Sequence, residues 1–216
     1  INGLNIAFKI LEHPAAKAGR IMLWSAIPCT GGSAWNRRNW LKGTWATRVK
    51  QERHFSLFRP LWRNFTKIAL KVMELGGAVV NEWPESCIYW NTEEVRKFMT
   101  KNNYIMQRFD GCRYNLLSTT RRNPQNPEER DPGGEFVLIK KTWMIAVSPN
   151  ADEFGERLNK MCPNDEEHVV HQHAKCAAEE TKLTENYTWD IAREVHIAFK
   201  EFCNRISDES TLGKHC

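Results

Sequence analysis

The chain has 216 residues, of which 41% are hydrophobic and 26% charged, a composition that excludes wholesale disorder. A net charge of +5, from 31 Lys and Arg against 26 Asp and Glu, is compatible with a nucleic-acid partner without demanding one. No apolar run nears the roughly 18 residues of a membrane span, and no basic start followed by an apolar stretch marks a secretory signal. No membrane association and an intracellular location are therefore expected. The first residue is Ile1, and a fragment of a longer reading frame is the expectation.

Residues 4–18 read as a short helix ended by Gly19. Residues 20–28 (RIMLWSAIP) form an apolar run stopped by Pro28 and then Gly31-Gly32, the pattern of a buried strand. A loop rich in Gly, Asn and Trp follows to Gly43. Residues 47–75 carry a helical apolar spacing at Phe55, Phe58, Trp62, Phe65, Ala69 and Val72, with Thr47 as cap and Gly76-Gly77 as stop. Pro60 should kink or split that helix. Residues 78–84 (AVVNEWP) are a second short strand, 92–102 a helix, and 104–109 a third strand that 113–117 extends after a turn at Asp110-Gly111. Residues 118–134, with three prolines, read as a long loop, and 136–147 as a hairpin around Lys140-Lys141. From Asp152 the pattern is mainly helical, with a break near Pro163.

Strands alternating with helices favour a mostly parallel sheet with right-handed crossovers. The expected fold is α/β, a Rossmann-like sheet with an antiparallel edge hairpin over residues 1–150, followed by a helical extension over 151–216 that contains Cys and His. In such sheets ligands gather at the carboxyl ends of the strands. The first strand runs into Pro28-Cys29-Thr30-Gly31-Gly32-Ser33 and the second ends Asn81-Glu82-Trp83-Pro84, so Cys29 and Glu82 are expected at one cleft.

Charge is unevenly spread. Arg37, Arg38, Lys42, Arg48, Lys50, Arg53, Arg59, Arg63, Lys67 and Lys71 crowd residues 36–71, where Glu52 is the only acid, whereas residues 150–190 hold ten acids. The basic stretch suits phosphates, and equally a solvated helix face. Seven dispersed cysteines, an odd number, indicate thiols in a reducing compartment rather than a disulfide framework.

Over residues 20–147 the chain resembles the catalytic half of the cytosine-C5 DNA methyltransferases. Pro28, Cys29 and Ser33 match the Pro-Cys-x-x-x-Ser nucleophile motif at a strand end, and Glu82 stands at the next strand end, where that family has the Glu of Glu-Asn-Val. Its neighbours here are Asn81 and Trp83. Gln107, Arg108 and Arg113 lie where the family carries a Gln-x-Arg-x-Arg pattern, at different spacing. The resemblance implies Cys29 as nucleophile toward cytosine C6, Glu82 as the acid near N3 and Ser33 as a loop-ordering hydroxyl. It also implies DNA as partner and S-adenosylmethionine as cofactor. With it, Arg37, Arg38, Lys42, Arg108 and Arg113 become candidate DNA contacts. A thiolate suits attack on an electron-poor ring carbon, and a carboxylic acid suits the charge that develops on the ring. The family's Phe-x-Gly-x-Gly cofactor turn is not among the first 20 residues, so the cofactor would be bound mostly outside this chain.

Residues 162–176 bring Cys162, His168, His171, His173 and Cys176 into a short span, a sulfur and nitrogen set that suits zinc, although the spacing matches no standard finger. Three functions are thus expected as alternatives. The chain is a methyltransferase-like domain, active or inactive; a non-enzymatic nucleic-acid or protein-binding module; or a zinc-stabilised interaction domain.

Overall fold

Pro14 divides the amino-terminal helix expected over 4–18. Helix α1 spans Gly3–Leu11, and the one-turn α2 spans Pro14–Lys17. His13 caps α2 by accepting the Ala15 N–H through Nδ1, and proline at the first helical position costs no hydrogen bond. The structure is a computed structural model that describes residues 3–33, 36, 40–163, 173–174, 176 and 179–212.

After β1 (Met22–Ser25) and the single turn at Thr30–Gly32, the long helix α3 runs unbroken over Trp45–Glu74. It starts one turn earlier than the apolar spacing indicates, because Thr44 rather than Thr47 is the cap and accepts the Thr47 N–H. Pro60 does not split it into two helices. Pro60 and Ser56 both lie on the exposed face, so the carbonyl that loses its partner there faces water. The helix ends at Gly76, whose φ of +79° is the left-handed conformation that closes a helix carboxyl end.

Strand β2 (Ala78–Pro84), helix α4 (Glu93–Lys101) and strand β3 (Ile105–Asp110) follow as expected. Beyond them the chain departs from the sequence reading. Residues 111–114 form a single 3-10 turn instead of extending β3, and Asn115 follows with a φ of +57°. The loop expected over 118–134 contains a small antiparallel pair, β4 (Arg122–Asn123) with β5 (Asn126–Arg130).

The hairpin expected over 136–147 does not form. Strand β6 (Leu138–Ile139) pairs in parallel with β8 (His173–Ala174), while β7 (Thr142–Val147) enters the main sheet. That sheet has the order β1-β2-β7-β3. Strands β1 and β2 are parallel, and β7 is antiparallel to both β2 and β3. The antiparallel strand is therefore internal, not an edge. Its composition gives the reason: Trp143, Ile145, Ala146 and Val147 are all buried, and a strand apolar on both faces cannot be left at a half-solvated edge.

Helices cover both faces of this mixed sheet. On one, Phe58, Trp62, Phe65, Ala69 and Val72 of α3 pack with Val95 and Met99 of α4 against Val79 and Trp83. The other face is covered by α5 (Asp152–Arg157) and α7 (Trp189–Leu212), with α6 (Glu179–Leu183) alongside. There Phe154, Ile191, Val195, Ala198 and Phe202 share a core with Val80, Ile145 and Val147. The described residues of the 151–216 segment thus supply one layer of the sandwich. No helix among the described residues is long and apolar enough to cross a membrane.

Candidate active site

Cys29 and Glu82 reach one cavity. Strands β1 and β2 run parallel, so their carboxyl ends open on the same side, and a cavity of about 200 Å³ there is lined by Ile27, Pro28, Cys29, Glu82, Trp83, Lys141 and Glu185, among others. A neighbouring cavity of about 340 Å³ shares Cys29, Pro84, Lys141 and Glu185 and adds Ser33 and Cys176. The Trp83 indole N–H donates to the Ile27 carbonyl at 2.6 Å, which ties the exit of β1 to the end of β2 and fixes the spacing of the two candidate groups.

The turn that carries Cys29 is held by close packing. A Cβ at Gly31 would stand 2.3 Å from the Tyr89 Oη, and one at Gly32 would stand 2.6 Å from the Cys87 Sγ. Only glycine lets the backbone lie this close to Tyr89. Tyr89 itself stacks on Phe58 of α3 with ring centroids 3.8 Å apart, so the turn rests on a rigid aromatic floor.

Glu82 follows the alternation of β2 onto the same face as Ala78 and Val80, where α7 and its approach lie. The Tyr187 hydroxyl donates to Glu82 Oε2 at 2.5 Å, and Trp24 Nε1 donates in turn to the Tyr187 oxygen at 3.1 Å. The other oxygen, Oε1, is buried without a hydrogen-bond partner among the described residues. Burial pushes the Glu82 carboxyl up to about 7, against the opposing effects of the Tyr187 bond and the Lys141 charge. Near neutrality this side chain is substantially a carboxylic acid, able to donate a proton or hydrogen bond to a group in the cavity.

Cys29 is held as a thiol. Burial raises its pKa, the Glu82 and Glu185 charges raise it further, and Lys141 works against them. Lys141 donates to the Thr184 carbonyl at 2.6 Å and lies over the Trp143 ring, 4.7 Å from its centroid. Burial lowers its pKa, so this amine gives up its proton more readily than an exposed lysine. The cavity therefore holds a thiol, a carboxyl that is substantially protonated near neutrality and a half-buried amine.

Lys141, Glu185 and Tyr187 were not indicated by the sequence. Lys141 reads there as hairpin turn chemistry, and Tyr187 stands in a polar stretch more than 100 residues beyond Glu82, with no catalytic motif around it. Of the candidate DNA contacts, Arg37 and Arg38 lie outside the described residues. Lys42 and Arg113 are exposed, and Arg108 is paired with Glu85 at 2.7 Å beside the larger cavity.

A second group of donors forms elsewhere. The ligating atoms of Cys112, Cys162 and His173 all lie within 4.8 Å of one another, and this cluster can hold a metal ion. Cys112 was not among the residues expected. Cys176 does not join the cluster; its Sγ lies 3.5 Å from the Thr184 hydroxyl, on the side of the larger cavity. His168 and His171 lie outside the described residues.

No protein-family model, no curated protein and no solved structure matches this chain.

Proposed function

We propose that this chain is a catalytic half related to the cytosine-C5 DNA methyltransferases, with Cys29 as the nucleophile and Glu82 as the acid. The observation that carries the reading is the shared cavity, which is lined by a thiol and by a buried carboxyl with a raised pKa, both near the carboxyl ends of two parallel strands. A Rossmann-like relationship is supported by these parallel strands and by the helices on both faces of the sheet.

In the step proposed, the Cys29 thiol loses its proton to water, the Lys141 charge favouring the thiolate, and the sulfur forms a bond to cytosine C6. The C5–C6 π electrons move into the ring, and protonated Glu82 hydrogen-bonds N3, where negative charge develops. A base must leave the duplex stack to enter a cavity of this size.

The glycine turns among the described residues do not fit S-adenosylmethionine. The Gly31-Gly32 turn is filled by Tyr89 and Cys87, which leaves no cradle for a ligand, and Gly19 and Gly76, the positive-φ glycines, end helices. The derived step therefore stops at thiol addition, which needs no donor.

Thiol addition alone makes the C5 hydrogen exchangeable. The test incubates the purified chain with DNA labelled with tritium at cytosine C5, and separately with DNA containing 5-azacytosine, an electrophilic analogue. Tritium release and a covalent adduct mapped to Cys29 are expected, both abolished by Cys29→Ser and reduced at least about tenfold by Glu82→Gln. No release and no adduct between about pH 6 and 8, or an adduct at another cysteine, overturns the reading.

A further inference from the structure

The Cys112, Cys162 and His173 cluster is not used by this chemistry, and its construction is specific. Cys112 and Cys162 are buried, at 5% and 6% exposure, and the Cys162 Sγ lies 3.6 Å from the His173 Nε2. The three residues come from three separate segments, and each segment is fixed by its own backbone pairing. Cys112 sits in the turn after β3, where the Gly111 N–H donates to the Lys141 carbonyl at 2.8 Å. Cys162 follows α5, and the Asp110 N–H donates to the Lys160 carbonyl at 3.0 Å. His173 is half of β8, held opposite Leu138 of β6.

Asp110 locks the first two segments together. It is fully buried, and its Oδ2 accepts the Cys162 N–H at 2.8 Å while Oδ1 accepts the Thr142 hydroxyl. A carboxylate bonded to the backbone of a ligating residue is the kind of outer support that orients a metal site. The convergence therefore does not depend on a metal to bring the segments together, and a suitable ion meets donors already aimed at one point.

We propose that Cys112, Cys162 and His173 form a structural zinc site. Two sulfurs and an imidazole nitrogen select a borderline-soft, tetrahedral ion and disfavour magnesium or calcium, which require oxygen donors. On binding, the two thiols release their protons and the sulfurs become thiolate ligands; no oxidation state changes. Three donors occupy three corners of the tetrahedron, and the fourth is taken by water or a further donor. The ion pins the end of β3, the segment after α5 and β8 to one another. Because β8 precedes α6 and the approach to α7, zinc also steadies the stretch that delivers Tyr187 to Glu82.

The test is metal analysis of the full chain purified without chelator, followed by cobalt(II) titration of the metal-free protein. About one zinc per chain is expected, with the intense visible bands of tetrahedral cobalt and a sulfur-to-cobalt charge-transfer band in the near ultraviolet. Cys112→Ser and His173→Ala should each lower zinc retention by about ten- to a hundredfold. Cys29→Ser should retain the full complement, so failure here is distinct from failure of the catalytic reading. If Cys112→Ser does not fold, the wild-type cobalt spectrum and the number of sulfurs seen by X-ray absorption at the zinc edge still decide. Wild-type protein with neither zinc nor the cobalt bands overturns the proposal. So does zinc retained undiminished in both variants, or a Cys112–Cys162 disulfide found by peptide mapping without reductant.

Discussion

Glu82 is the residue on which most of the proposed chemistry turns, and its protonation is also a stability term. In the unfolded chain its pKa is near 4.5, and burial takes it to about 7 in the fold. Between these values the native state holds a proton that the unfolded chain has released, so by linkage this group's contribution falls as pH rises. It is fully present below about pH 4.5 and is lost as pH climbs through about 7, a change of about 3 kcal/mol at most. Glu82→Gln keeps an oxygen for Tyr187 and cannot ionise, so denaturant unfolding of the variant should lose this part of the decline between about pH 5 and 8. Identical slopes in wild type and variant would show that Glu82 is ionised in the native state. The same titration predicts that cytosine addition weakens above about pH 7, as the acid near N3 becomes an anion. Cys29 and Glu82 were legible from the chain because both stand where an apolar run meets proline. Tyr187 and Lys141 were not, since each reaches the cavity only through tertiary packing of a segment whose local pattern is unremarkable.

At the scale of elements, the part of the chain that reads as a proline-rich loop is fastened by a buried ion pair. Arg122 of β4 donates to Glu180 of α6 at 2.8 Å, and Glu180 also accepts the Thr119 N–H at 2.9 Å and the Thr119 hydroxyl at 2.8 Å. Burial acts to raise the Glu180 carboxyl, but the Arg122 and Thr119 bonds overcome it and hold it below its ordinary value. Removing one partner leaves the other buried and uncompensated. Arg122→Met should therefore cost about 3–5 kcal/mol in denaturant unfolding, and adding Glu180→Gln should recover part of that loss. A single variant within about 0.5 kcal/mol of wild type would mean that water replaces the pair in solution. Such a fastening explains where sequence reading stops. Helices α3 and α4 and strands β1, β2 and β3 declare themselves through local periodicity and nearby Gly or Pro. The pairing of β6 with β8, and the placing of β7 between β2 and β3, depend on partners far along the chain. A two-residue strand such as β8 has no period to read, and the burial of β7 on both faces, visible as an apolar run, was compatible with a hairpin until its neighbours were known.

Over the whole molecule the two helical layers differ in charge. On the solvent face of α3, Arg48, Lys50, Arg53, Arg59, Arg63 and Lys67 are exposed, and none is in an ion pair among the described residues. The layer on the opposite face is cross-linked by its acids, with Arg157 bound to Glu201 and Arg205 to Glu153. The amino-terminal half of α3 also borders the turn after Cys29, since Lys50 and His54 line a cleft with Thr30. A phosphate backbone lying along α3 would thus pass beside Cys29, which is the arrangement that base extrusion into the cavity requires. Binding that uses four to six of these cations should weaken with salt at a slope of about −4 to −5 in log K against log salt on duplex DNA. Replacing Arg59 and Arg63 together by Gln should reduce the magnitude of that slope by about 2, while Cys29→Ser leaves it unchanged. Fluorescence anisotropy over a salt series reads both. A flat response would remove α3 as the nucleic-acid face. A steep one that persists in the double variant would move the contact elsewhere on the molecule, and a steep slope with no covalent adduct at Cys29 would leave the chain as a binding module rather than an enzyme.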